Sequence, residues 1–172
     1  MGLYFLWKTH SGLINDPFWR LLNNYDYSHL DFPDPCEKEL NNAESHYSYV
    51  DNRCFYLNVA SANYTASKSN CMEKLEGKGK MYEPRKNSLT AKIGKEANLR
   101  VNDKKGYYVG IKKVNGKFVY ESDGSVVSKS LDWADGYPVE YGDCVQTLNG
   151  KLFNSECNQE VHQICEYDTG DI

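Results

Sequence analysis

The chain has 172 residues and a net charge of −4 at pH 7, with 40% hydrophobic and 26% charged residues. That composition is ordinary for a soluble globular protein, and the length fits one domain plus a modest extension. No apolar run approaches the ~20 residues of a membrane-spanning helix, so no membrane span is expected.

Residues 1–35 stand apart as an aromatic-rich N-terminal extension. They hold eight aromatic residues and no cysteine. Asp16-Pro17 reads as an N-cap followed by a proline at the first helical position, opening a short helix through Phe18, Trp19 and Leu22. Eight aromatics are costly to leave in water. Because the arm lies outside the cysteine framework, these three residues are expected to form an interface with a second copy, making a homo-oligomer. The alternative is that they dock on their own domain. Residues 1–6 show neither a basic n-region nor a long apolar h-region, so no secretory leader is visible.

Six cysteines follow, Cys36, Cys54, Cys71, Cys144, Cys157 and Cys165. None has zinc spacing, and an even, scattered set points to three disulfides and an extracellular, secreted protein. Six cysteines allow 15 connectivities, and spacing does not choose among them. Arg53-Cys54-Phe55-Tyr56-Leu57 reads as a compact apolar strand. Asn63 or Ser61 caps a helix to about Leu75, with Tyr64, Ser67, Cys71 and Leu75 on one face and Gly77 as its C-terminal glycine. Asn63-Tyr64-Thr65 is also an N-glycosylation acceptor at a surface position. Gly77-Lys78-Gly79-Lys80 is read as a helix end and turn rather than a phosphate loop. A second helix begins with Ser88 as N-cap and places Leu89, Ile93 and Ala97 on one stripe.

Tyr107-Tyr108-Val109-Gly110-Ile111 lacks alternation and reads as a strand buried on both faces. Lys117-Phe118-Val119-Tyr120 is another strand, ended by the turn Ser122-Asp123-Gly124. Two further strands flank Asn149-Gly150, the strongest short hairpin signal, and His162 to Tyr167 closes the domain. Two helices followed by short strands argue an α+β fold with antiparallel sheet. Residues 78–117 carry 12 Lys or Arg against three acids, leaving the remainder strongly acidic. Such a stretch either steers an anionic partner or is a solvated basic face. No catalytic motif is present, the four His have no metal spacing, and no enzyme activity is expected.

Over residues 36–167 these pieces resemble the C-type lectin-like family. Tyr64-x-x-Ser67-x-x-x-Cys71 is similar to its first helix, and Tyr108-Val109-Gly110-Ile111 to its Trp-Ile-Gly-Leu strand. Phe118-Val119-Tyr120, Trp133, Asp143-Cys144-Val145 and Ile164-Cys165-Glu166 follow in family order. The resemblance implies two helices packed on short antiparallel sheets with a long loop region and three disulfides: Cys71–Cys165, Cys144–Cys157 and Cys36–Cys54. Residues 168–172 are then a short tail.

In sugar-binding members, a Glu-Pro-Asn triplet and an Asn-Asp pair hold calcium, which takes six to eight oxygen ligands. Here the triplet reads Tyr137-Pro138-Val139, the pair reads Asn154-Ser155, and the position before Asp143 is Gly142. The family often uses a cis peptide before that proline. Asp132, Asp135, Glu140 and Asp143 are the carboxylates left to rebuild a cation site, and their alternative reading is solvated loop acids. No cofactor is therefore expected. Tyr137, Glu140, Tyr141 and Asn154 are the expected binding residues, while Trp133 is read as core. The implied function is calcium-independent recognition of a protein partner through this loop, the basic stretch, or both. The alternatives are a lectin binding glycan at a non-standard site, or a structural subunit joined through its N-terminal arm. Nucleic acid is not an expected partner.

Overall fold

The computed structural model describes residues 47–51, 53–100 and 105–167. The expectations for the N-terminal arm (Phe18, Trp19 and Leu22), for Cys36 and for the tail lie outside the described residues. In chain order the elements are β1 (Tyr47–Val50), β2 (Arg53–Ala62), α1 (Tyr64–Lys74), β3 (Gly79–Met81), α2 (Asn87–Arg100), β4 (Tyr107–Val114) and β5 (Lys117–Tyr120), then β6 (Cys144–Leu148), β7 (Lys151–Ser155) and β8 (Val161–Tyr167). The strands run β1-β2-β8-β4-β6-β7 across the sheet, with β3 added to β8 and β5 to β4.

The expected α+β fold with antiparallel sheet is observed, with one parallel strand pairing added. Strands β4 and β8 pair in parallel, Tyr107 with His162 and Tyr108 with Gln163, so the sheet is mixed. Every other strand pairing among the described residues is antiparallel, and one isolated parallel bridge joins Trp133 to Leu152. Parallel pairing needs a long crossover, and the intervening chain forms β5, the long loop and the β6–β7 hairpin.

Alternate residues on the central strands serve two cores, because successive side chains of a strand point to opposite faces. Phe55, Leu57, Val109, Ile111 and Ile164 join Leu89, Ile93 and Ala97 of α2 in the larger core. Cys54, Tyr108 and Cys165 face the other way, toward Tyr64, Cys71 and Leu75. Each such large side chain contributes roughly 1.5–3 kcal/mol by leaving water. The disulfide Cys71–Cys165 ties α1 to β8, and Cys144–Cys157 ties β6 to the turn after β7. Cys54 is disulfide-bonded as well, and its expected partner, Cys36, lies outside the described residues.

Helix α1 starts as expected: the Asn63 side chain accepts from the Ala66 amide at 3.0 Å. Its end differs in detail. Glu76 takes the first left-handed position (φ 53°), and Gly77 follows, its amide closing on the Met72 carbonyl at 2.8 Å. The Gly79 region is a strand rather than a turn. Its α-carbon is pressed against α1, so that a β-carbon there would lie 2.0 Å from the Cys71 carbonyl oxygen. Helix α2 begins at Asn87, one residue before the expected cap. The Asn87 amide is used elsewhere, donating to the Ser130 carbonyl and accepting from the Asp132 amide. Asn149 and Gly150, with φ of 54° and 79°, make the tight turn between β6 and β7.

Candidate functional site

Between β5 and β6 the chain runs for 23 residues without a strand or helix of its own. Exposed backbone of that length needs partners for its peptide groups. Here they come from side chains on the scaffold. At its start, the buried Glu83 carboxylate accepts from the Ser122 amide (2.7 Å) and hydroxyl (2.8 Å). Arg85 lies over the Tyr120 ring at 4.0 Å and bridges Glu83 to Asp123. Hydrogen bonds from Ser125 and then Arg85 hold the Asp123 carboxyl down at about 2. In the middle, Asn87 grips Ser130 and Asp132, and Leu152 of β7 exchanges hydrogen bonds with Asp132 and Ala134.

At its end, residues 139–143 are held from two sides. The Asn154 amide nitrogen lies within hydrogen-bonding reach of the carbonyls of Val139 (3.0 Å), Tyr141 (2.6 Å) and Gly142 (2.7 Å). Its oxygen accepts from the Val139 amide at 2.8 Å. From β4, the Lys113 ammonium donates to the Glu140 carbonyl at 2.7 Å and lies 3.5 Å from the Asp143 carboxylate. The Lys113 amide also bonds the Asp143 carbonyl, and its side chain lies over Phe118.

This grip presents Tyr137, Glu140 and Tyr141 outward. Tyr141 is 72% exposed and Tyr137 38%, the latter edge-on to Phe153 at 5.9 Å between ring centres. The Tyr137–Pro138 bond is cis. Asn154 is placed differently from its expected role: it is buried beneath the loop, at 3% exposure. It belongs to the loop's support rather than to its outer face. Trp133 is half-buried against Phe118 and, with Leu131, Val127 and Tyr137, lines an open cleft of about 640 Å³. Lys117, Lys129, Asp132 and Asp135 supply the cleft's charged lining. Asp132 is matched by Lys151.

The oxygen donors do not suit a calcium ion. The Asn154 oxygen is aimed at an N–H, and its NH2 occupies the carbonyls a cation would want. Lys113 places an ammonium where positive charge would be welcome. Gly142 takes a left-handed φ of 89°, with its α-hydrogen face against β7. An acidic side chain there would put its β-carbon 2.8 Å from the Ser155 backbone. Among the described residues no three His, Cys, Asp or Glu side chains come together as a metal-holding group.

Sequence reasoning missed Lys113, Asn87 and the Glu83–Arg85 pair. Each acts on backbone far away in the chain, and periodicity carries no trace of such contacts. Lys113 was visible only as one charge among many in residues 78–117. That stretch runs through several elements of the fold. It spans β3, α2, β4 and the start of β5, and its cations at 85, 92 and 113 are engaged with Glu83, Asp123, Asp51 and Asp143.

The model of the Lectin C-type domain matches residues 60–167. A search of curated proteins finds no match. Among solved structures, the chain is similar to human lithostathine at 18% identity and a TM-score of 0.61, over 71% of this chain and 96% of that one. It is similar to the carbohydrate-recognition domain of cow CD23, solved in the presence of an oligosaccharide, at 20% identity and a TM-score of 0.58 over 73% and 95%. A calcium-independent type II antifreeze protein matches at 18% identity and a TM-score of 0.56 over 70% and 90%. At such identities the likeness concerns the fold.

Proposed function

From the premise that this chain belongs to the C-type lectin family of recognition modules, we propose that it is a non-catalytic, extracellular module. It binds a protein partner without calcium through the face formed by Tyr137, Glu140 and Tyr141. One observation carries the reading. The peptide groups of residues 139–143 close on Asn154 and Lys113, while the tyrosines above them stay open to solvent. Tyrosines with an apolar body and a polar tip are frequent anchors of protein interfaces. A calcium-independent relative of the same fold makes the reading compatible with the architecture. The disulfides favour an oxidising compartment, and the exposed Asn63 leaves its sequon open to a glycan. No described helix is long and apolar enough to cross a membrane.

The test is binding of the full chain to panels of purified ectodomains and of immobilised glycans, each with calcium and with chelator. The expected result is ectodomain binding that is indifferent to chelator and lost in Tyr137→Ala and Tyr141→Ala. Binding confined to glycans and abolished by chelator contradicts it. The lectin reading draws on the cleft beside Trp133 and Tyr137, where aromatic rings and paired charges suit stacking on a sugar ring. Self-assembly through Phe18, Trp19 and Leu22 is read from sequence alone. Light scattering of the full chain against one starting near Pro35 tests it.

A further inference from the structure

The loop end is rich in oxygen: the carbonyls of residues 139–142, three of which turn in toward the buried Asn154, and the Asp143 carboxylate. The four carbonyls meet N–H groups of the chain itself, and the Asp143 carboxylate forms an ion pair with Lys113. Lys113 is the one cation that reaches this group among the described residues, at 2.7 Å from the Glu140 carbonyl and 3.5 Å from Asp143. Its side chain is 16% exposed and lies over the Phe118 ring, so its charge is partly withdrawn from water. In such surroundings a hydrogen bond from a charged donor is stronger than one in bulk water. Asn154 holds the neighbouring carbonyls from the opposite strand pair.

We propose that Lys113 is the built-in cation of this loop, a positioning residue that fixes the Tyr137–Glu140–Tyr141 face and takes the structural place that a bound divalent ion would otherwise fill. The inference rests on the reading of that face as the recognition surface, but its geometry is tested without any partner. The ammonium neutralises Asp143 and holds the Glu140 peptide in the orientation that turns the 140 and 141 side chains outward. Two consequences follow. The loop's order depends on charge at position 113, and added calcium has nothing to order.

The experiment compares the full-chain protein with Lys113→Met and Lys113→Arg by amide hydrogen exchange, each with calcium chloride and with chelator. Lys113→Met is expected to speed exchange of the two amides that tie this loop down, that of Val139, which donates to Asn154, and that of residue 113, which donates to the Asp143 carbonyl, by about tenfold or more, the loss of one charge-assisted hydrogen bond. Amides of β2 and β8 keep their protection, and Lys113→Arg restores most of the loop's. Calcium leaves the wild-type pattern unchanged. Unchanged loop exchange in Lys113→Met overturns the proposal, as does calcium-induced protection in the wild type. Failure of Lys113→Arg to rescue counts against a role for the charge. If the loop responds as stated but no ectodomain binds, the recognition reading falls and the positioning role stands.

Discussion

The two halves of this domain are held together by different physics. Around β2, β8 and α1, stability comes from apolar side chains sealed in two cores and from a disulfide joining residues 94 apart. Between β5 and β6 only Val127, Leu131 and Trp133 turn into the larger core, and the rest of the described loop is held by Glu83, Arg85, Asn87, Lys113 and Asn154 bonding its backbone. Burial is non-directional and tolerates changes of shape. A buried amide serving four peptide groups tolerates almost none. The scaffold therefore sets whether the domain folds, and the clamps set what its face looks like.

The sharpest way to break the first half is to remove Cys71–Cys165 with a Cys71→Ala/Cys165→Ala variant. A closed loop of that length stabilises by about 4–5 kcal/mol on the chain-entropy model. Urea unfolding should find a largely unfolded chain, with loop and scaffold lost together. Next comes Asn154→Ala, which strands an amide and up to three carbonyls under the loop. A cost of about 2–3 kcal/mol is expected, and limited proteolysis should cut residues 137–143 before any other described segment. If Asn154→Ala melts like wild type, the loop has another support and the contrast fails.

The scaffold also carries a buried acid with a pH signature. Burial pushes the Glu166 carboxyl up to about 7, against the pull of Arg53 and Lys80. A folded value above the unfolded one means that the folded state holds the proton more tightly. The contribution is present below the unfolded value and is lost as pH rises through about 7. Denaturant midpoints should fall between pH 5 and pH 8 by about 1–3 kcal/mol in free energy, and Glu166→Gln should flatten the slope. A midpoint that rises over this range would assign the ionised form, paired to Arg53, to the folded state. The smallest effect is expected at the surface: Tyr141→Ser should change stability by no more than about 0.5 kcal/mol, while removing an anchor of the face. A large loss of stability would place Tyr141 among the supports.

Much of the scaffold was legible in the sequence because its signals are local. Tyr64, Ser67, Cys71 and Leu75 fall on one helical face, Tyr107 to Ile111 read as a doubly buried strand, and Asn149-Gly150 makes its turn. The edge strands β1 and β3 were not legible. They are four and three residues long, too short for a period to declare itself, and Gly79 looks like a turn residue until α1 is seen lying against it. The parallel contact of β4 with β8 was equally hidden, since pairing partners 55 residues apart leave no local mark. At the loop, the sequence indicated which oxygen donors were missing. It did not indicate that Lys113 and Asn154 had taken up the remaining ones, because a lysine in a basic stretch and an asparagine in a strand look the same whether or not they meet a distant carbonyl.

The direct test of this account is calorimetric titration of the full chain with calcium chloride, paired with thermal unfolding in calcium and in chelator. The account predicts no saturable binding up to ~1 mM, the range in which extracellular calcium modules fill, and melting temperatures that agree in the two conditions. A one-site isotherm with a rise in melting temperature, abolished by Asp143→Asn, would contradict it.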